Sequence, residues 1–298
     1  MPDDELRISA GASLRVLVTG ATGRFGGIAD LLLERGHAVR VATRDPSRPA
    51  ALRLAARGAE ITRADYDDAD SLAAAARGAD AVFGSGTAHQ AGPAGEARHG
   101  RNLADALARA GAPYLVFVSG AGADRPTGVP VLEAKRAVEA EIGARRIPAC
   151  IIAPGYLMEN LFNPWNLGAL GAGVLPTPIP PGRSLQQVAT ADVVALAEQA
   201  IERPEAFAGE RIEVASDELT GDEAAAVLAD RLGRPMTARQ VPMTQLPPGL
   251  VAMFEWLERD PLAVSISGLR ERFPAVGWHS FSDWASKQSR LMDLRGAV

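Results

Sequence analysis

The residues with the clearest chemical capacity stand near the start of the chain, in the run Val16-Leu17-Val18-Thr19-Gly20-Ala21-Thr22-Gly23-Arg24-Phe25-Gly26-Gly27. Gly20, Gly23 and Gly26 directly follow a β-branched apolar run and precede a stretch with helical spacing. Glycine lets a backbone approach a ligand closely, and the first turn of a helix offers unpaired N–H groups, so this spacing suits a pyrophosphate. Thr22, Arg24 and Phe25 stand between the glycines and are placed against the same ligand. A glycine triplet alone is common, but in a strand-turn-helix context at the start of a βα series it points to a dinucleotide.

The end of the second apolar run, Val39-Arg40-Val41-Ala42-Thr43-Arg44-Asp45, bears on which dinucleotide. An acidic side chain there accepts from a free ribose 2′-hydroxyl, whereas a basic one accommodates a 2′-phosphate. Arg44 occupies that position. Its guanidinium can grip phosphate oxygens bidentately and stack on adenine, with Arg24 or Arg48 adding charge, so NADP(H) is favoured over NAD(H). The competing use of Arg44 is a solvated turn residue paired with Asp45. After the third run, Ala64-Asp65-Tyr66-Asp67-Asp68 offers the adenine amino group a carboxylate through Asp65, with Tyr66 beside it, or else an N-cap for the next helix.

These positions form a site only if a scaffold brings them together. Strand-like runs at 16–18, 39–41, 60–62, 81–83, 115–118 and around Cys150 alternate with helical spacing at 28–35, 50–57, 70–77, 103–110 and 132–142. Gly36, Gly58, Gly78 and Gly111 fall where a left-handed residue closes a helix. This is the rhythm of an α/β fold, a doubly wound parallel-sheet Rossmann domain. Ligands of such sheets lie outside the carboxyl ends of the strands. That selects Gly86 and Thr87 for the pyrophosphate and ribose, Pro154 and Tyr156 for the nicotinamide carboxamide, and Ser119 and His89 as neighbours of a substrate.

Residues 1–13 read as a flexible N-terminal extension and 14–153 as the dinucleotide-binding domain. Residues 154–298 read mainly as a smaller C-terminal substrate lobe, with 190–216 returning to the first domain. Within that lobe Pro176-Thr177-Pro178-Ile179-Pro180-Pro181-Gly182 excludes a regular helix or a central strand, so 160–184 is expected to be irregular, a lobe or a lid. Met158, Asn160, Phe162 and Trp165, with 175–182, suggest an apolar pocket for a planar or aromatic substrate. Plain core packing is the competing use of each.

The whole chain of 298 residues carries 31 Lys+Arg against 36 Asp+Glu, a net charge of −5, with no basic block. Nucleic acid and anionic membrane surfaces are therefore not expected partners, and a small-molecule substrate is. No run approaches the ~18 apolar residues of a membrane span, and the acidic start is unlike a signal peptide. The lone Cys150 lies in an apolar run and reads as a buried thiol, which fits a soluble cytoplasmic protein, monomer or homodimer. The four His and the Cys lack metal-ligand spacing, and no Gly-x-Ser-x-Gly elbow occurs.

Taken together, Thr19-Gly20-Ala21-Thr22-Gly23-x-x-Gly26, Ala64-Asp65-Tyr66-Asp67, Phe117-Val118-Ser119, Lys135-x-x-x-Glu139, Pro154-Gly155-Tyr156-Leu157-Met158-Glu159-Asn160 and Ala191-Asp192-Val193 resemble the NmrA-like group of atypical short-chain dehydrogenase/reductases. They run from about residue 15 to 235. The resemblance implies one of two functions. One is an NADPH-dependent oxidoreductase delivering hydride to a small, mostly apolar acceptor such as a quinone, enone or imine. The other is a catalytically silent sensor that binds NADP(H) and acts through a protein partner.

The resemblance further implies that the Lys135 ammonium contacts the nicotinamide ribose hydroxyls, although its spacing also allows a simple surface pair with Glu139. Ser119 sits where the family often has a catalytic hydroxyl, or it satisfies backbone at a strand end. Two departures stand out. Val131 occupies the position from which a tyrosine donates the proton in the wider family, which leaves Tyr156 and His89 as candidate donors. Ala153 replaces an arginine common among relatives.

Overall fold

The computed structural model describes residues 13–293, so the N-terminal segment expected to be flexible lies, but for Ser13, outside the described residues. The chain alternates β1 (Arg15–Thr19), α1 (Gly27–Glu34), β2 (Ala38–Thr43), α2 (Pro49–Ala56), β3 (Glu60–Arg63), α3 (Ala69–Ala76), β4 (Ala81–Ser85), α4 (Ala88–Arg109), β5 (Tyr114–Val118), α5 (Pro130–Ala144) and β6 (Ala149–Pro154). It continues through β7 (Tyr156–Leu157), α6 (Pro164–Gly171), β8 (Val174–Thr177), β9 (Ser184–Val188), α7 (Thr190–Glu202), α8 (Pro204–Phe207), β10 (Arg211–Val214), β11 (Asp217–Thr220), α9 (Gly221–Leu232), β12 (Thr237–Gln240) and α10 (Pro248–Arg259). Short helices at Ile266–Arg272, Phe281–Ser286 and Ser289–Asp293 follow.

Seven strands form one sheet in the order β10-β6-β5-β4-β1-β2-β3. β1 pairs in parallel with both β2 and β4, β3 extends the sheet beside β2, and β5 and β6 continue it beyond β4. This is the doubly wound Rossmann fold, whose strand order reverses between β1 and β4 and opens a crevice at their carboxyl ends. The inner strands lack alternation because both faces are covered: Val16, Leu17 and Val18 are all buried, as is every residue of β5. One covered face joins Leu17, Val82, Leu115 and Phe117 of the sheet to Leu72 of α3, Leu103 and Leu107 of α4 and Val138 and Ile142 of α5. α4 crosses α5 at Gly100, where an added Cβ would meet Val138 Cγ2 at 2.2 Å.

Gly36, Gly58, Gly78 and Gly111 all have positive φ, closing α1, α2, α3 and α4 as their spacing predicts. α4 begins earlier than the periodicity shows, at Ala88, because Gly92 (φ 68°, ψ 176°) and Pro93 kink it after its first turn.

The chain divides into two compact units. The first holds the described residues up to Pro126, with Val131–Ala153 and Val193–Ile212; the second holds Thr127–Pro130, Pro154–Asp192 and the described residues from Glu213. The second unit is a smaller lobe with its own core, in which Met158, Leu161, Leu175, Leu228, Phe281 and Trp284 are buried. It contains the sheet β11-β9-β7 and the parallel pair β12-β8. The irregular lobe expected over 160–184 is thus corrected. Pro164 starts a helix at its first turn, where no N–H is needed, and Pro176 is tolerated in β8 because that strand has one partner.

Candidate nucleotide site and substrate cavity

Gly20 ends β1 in the left-handed region, with φ 72°. The Gly23 N–H donates to the Gly20 carbonyl (2.8 Å) and the Gly26 N–H to the Gly23 carbonyl (3.1 Å), folding the loop into consecutive tight turns. A Cβ on Gly26 would lie 2.1 Å from the Ala21 carbonyl oxygen, so this turn admits only glycine there. α1 starts without a side-chain cap, and Arg53 and Arg57 hold the one carboxylate of its first turn, Asp30. The hydrogen bond from Arg53 keeps that carboxyl below the usual carboxylate range. The positive end of the helix therefore faces the crevice without a carboxylate of its own to occupy it.

Arg44 follows β2 and is exposed. Its guanidinium donates to Gln90 Oε1 (3.2 Å) at the start of α4, while Asp45 is turned to its own loop, accepting from Ser47 N and Oγ. Among the described residues Arg44 thus reaches to the start of α4 and does not pair with Asp45. In the acidic run after β3, Asp68 caps α3 through Asp70 N and Ser71 N, whereas Asp65 accepts from Asp67 N and shapes the turn.

A network that local spacing does not show joins the carboxyl ends of β1, β3 and β4. The Tyr66 hydroxyl donates to Thr19 Oγ1 (2.7 Å), which donates to the Phe83 carbonyl (3.0 Å). Burial pushes the Tyr66 phenol up to about 12. Its ring stacks on His99 with centroids 5.5 Å apart. The imidazole lies 2.9 Å from Thr87 Oγ1 through Nδ1 and 3.1 Å from Asp67 Oδ1 through Nε2. The hydroxyls of Tyr66 and Thr87, both expected beside a dinucleotide, are therefore engaged with the scaffold.

The Lys135 ammonium does not pair with Glu139. It lies 2.9 Å from Oε1 of Glu96, a residue of α4 with 1% exposure. The other oxygen, Glu96 Oε2, is buried with no hydrogen-bond partner. The pair presses against the chain just past β4: a Cβ on Gly86 would fall 2.0 Å from Glu96 Oε1 and 2.5 Å from Lys135 Nζ. Glu139 instead accepts from the buried Ser119 hydroxyl and from Arg211 Nε (2.9 Å), and Arg211 also donates to the Gly120 carbonyl (3.1 Å). The Ser119 proton is thus held by a carboxylate. His89 belongs to the first turn of α4 by its backbone, and its side chain lies outside the described residues.

The second unit contains a cavity of about 530 Å³, open solvent at its mouth included. Tyr156, half-buried, lines it with Met158, Leu161, Pro176, Leu185 and Phe281. Of the residues expected to build a pocket, Met158 and the stretch 175–180 are in its wall, while Asn160, Phe162 and Trp165 are not. Residues Met158–Phe162 form a 3₁₀ turn, in which positions three apart share a face, so Leu161 joins Met158 while Asn160 and Phe162 point elsewhere. Phe162 packs on Trp284, and Trp165 is 57% exposed.

Among the described residues no group of His, Cys, Asp and Glu is arranged to hold a metal, and no helix is long and apolar enough to cross a membrane. The model of the NmrA-like family matches residues 12–258. The chain belongs to the NmrA-like family. It is 29% identical over 260 residues to a (4-alkanoyl-5-oxo-2,5-dihydrofuran-3-yl)methyl phosphate reductase of Streptomyces griseus, covering 80% of this chain and 84% of that one. It is 40% identical over 111 residues to an NmrA-like domain-containing oxidoreductase of Aspergillus hancockii. That match spans 35% of this chain and only a third (33%) of the relative's length.

Among solved structures, an NADPH-dependent quinone oxidoreductase of Escherichia coli has a similar fold (TM-score 0.76, 21% identity, 91% of this chain and 98% of that one). So does NmrA, a negative transcriptional regulator solved with NADP (TM-score 0.75, 19% identity, 95% and 98%).

Proposed function

We propose that this family member is an NADPH-dependent oxidoreductase that reduces a small, mostly apolar acceptor with a polarised double bond, an enone foremost and a quinone or imine next. The observation that carries the reading is the convergence at one sheet edge of the Gly20–Gly26 turn, the Arg44 guanidinium and the Lys135 ammonium. The sites fit the cofactor: a turn closed to any Cβ at Gly26, a helix start without a carboxylate to fill it, and a basic residue after β2.

When bound, the reduced nicotinamide supplies the hydride. This chain's residues do the rest. The loop N–H groups hold the pyrophosphate, and Arg44 with Arg24 meets the 2′-phosphate. Asp65 stands by the adenine, and Thr22, Phe25, Gly86 and Pro154 line the path. Lys135, steadied by Glu96, orients the ribose and places positive charge where an oxyanion develops. Tyr156, which lines the cavity of the second unit, is taken as the proton donor, with His89 as the alternative.

The Streptomyces relative favours the enone, because its named substrate carries a ring double bond conjugated to a lactone carbonyl and an acyl group. The engaged Ser119 and the Val131 substitution favour a second reading, a silent NADP(H) sensor. Oxidation of NADPH and NADH followed at 340 nm against enones, quinones and cyclic imines, beside calorimetry with both dinucleotides, separates the two. Acceptor-dependent NADPH loss is the expected result. Tight binding with no turnover across the panel transfers the assignment to the sensor.

A further inference from the structure

The cavity of the second unit is apolar but for a few groups, and two of these are unused by the protein. β9 runs between β11 and β7, and it carries two adjacent glutamines with opposite fates. Gln186 is not part of the cavity wall and is satisfied: its carboxamide donates to Glu218 Oε2 (3.0 Å) and the Val264 carbonyl (3.0 Å) and accepts from Val264 N (2.8 Å). Gln187 is one residue on, so its side chain takes the other face with Leu185, beside Tyr156, its register partner in β7. It lines the cavity at 6% exposure, and its carboxamide makes no hydrogen bond among the described residues.

Arg183 is the only charged residue in the cavity lining, and it has no ion pair among the described residues. The nearby start of α9 offers no rival anion site, because Thr220 and Glu223 close it with a reciprocal capping box. The exposed Arg183 guanidinium at the edge of an apolar trough suits an anion, while a carboxamide on the cavity wall with no hydrogen bond among the described residues suits a ligand that can bond to it.

We propose that the cavity selects an amphipathic oxyanion: an apolar body in the trough, a conjugated carbonyl received by the Gln187 carboxamide beside Tyr156, and a carboxylate or phosphate received by Arg183. This names the acceptor class of the reductase reading and rests on it.

The test uses the full chain with NADPH present and measures binding by calorimetry separately from turnover. The probes are 4-phenyl-3-buten-2-one, its para-carboxylate and para-phosphate counterparts, and 4-propenylbenzoate, which lacks the ketone. The charged enones are expected to bind about tenfold more tightly than the neutral one. The better of the two identifies the oxyanion. R183Q is expected to bring that ratio to near one, and Q187L to erase the preference of the carboxylated enone over 4-propenylbenzoate. Unchanged NADPH affinity and melting temperature establish that both variants are folded.

Equal binding of charged and neutral enones by the unsubstituted chain, ratios unaltered by the substitutions, or no binding of any probe overturns the proposal. Its failure is distinct from that of the reductase reading. Turnover of the enones without charge preference sinks the oxyanion site alone, and the predicted binding pattern without NADPH loss sinks the reductase alone.

Discussion

Lys135 shows how far a single residue can be read from sequence. Its spacing suggests a surface pair with Glu139, a contact worth a few tenths of a kcal/mol, and so a substitution with little effect on folding. The structure pairs it with Glu96, 39 positions away and buried, and gives Glu139 to Ser119 and Arg211. Lys135→Ala would leave a buried carboxylate without its partner, and such changes cost about 3–5 kcal/mol. Thermal and urea unfolding should show that loss in Lys135→Ala and a smaller one in the double variant with Glu96→Ala. A loss below 1 kcal/mol, in the range typical of exposed ion pairs, would contradict the pairing. Arg44 follows β2 and donates to Gln90, and the proposed function gives it the ribose 2′-phosphate. Arg44→Ala should weaken NADPH binding by about one to two orders of magnitude with little change for NADH. Calorimetry showing equal losses would remove the 2′-phosphate contact.

At the scale of elements, the strands and helices of the Rossmann unit were legible because each buries a continuous or one-sided apolar run and α1 to α4 each close at a glycine of positive φ. The first turn of α4 was not, since Gly92 and Pro93 break its period. The wall of the cavity was legible in part, in Met158 and the proline-rich stretch 175–180. Which of residues 158–162 face it depends on a 3₁₀ rather than an α period, and Gln187 emerges only once β9 is seen between two partners. The loop before α1 makes the firmest prediction here. Gly26→Ala forces a Cβ to 2.1 Å from the Ala21 carbonyl oxygen, so the turn must open. Dinucleotide affinity should fall by at least about tenfold, as expected when the backbone no longer fits the pyrophosphate. Gly27→Ala, with nothing within 4 Å of its added Cβ, is the control. Equal affinities in the two variants would show that the loop does not hold the ligand.

For the molecule as a whole, membership in the NmrA-like family and a Rossmann sheet ordered around a crevice between β1 and β4 leave two outcomes for one nucleotide site, since an oxidoreductase and a regulator share this fold. They part on whether the hydride leaves the dinucleotide. Single-turnover reaction of the protein with NADPH deuterated at both C4 positions and a carboxylated enone, with the product read by mass spectrometry and NMR, decides this. The expected product is a saturated ketone carrying one deuterium on the carbon β to the carbonyl, with a solvent proton at the α carbon. Dinucleotide bound in full, with its label retained and the enone recovered unchanged, would contradict it.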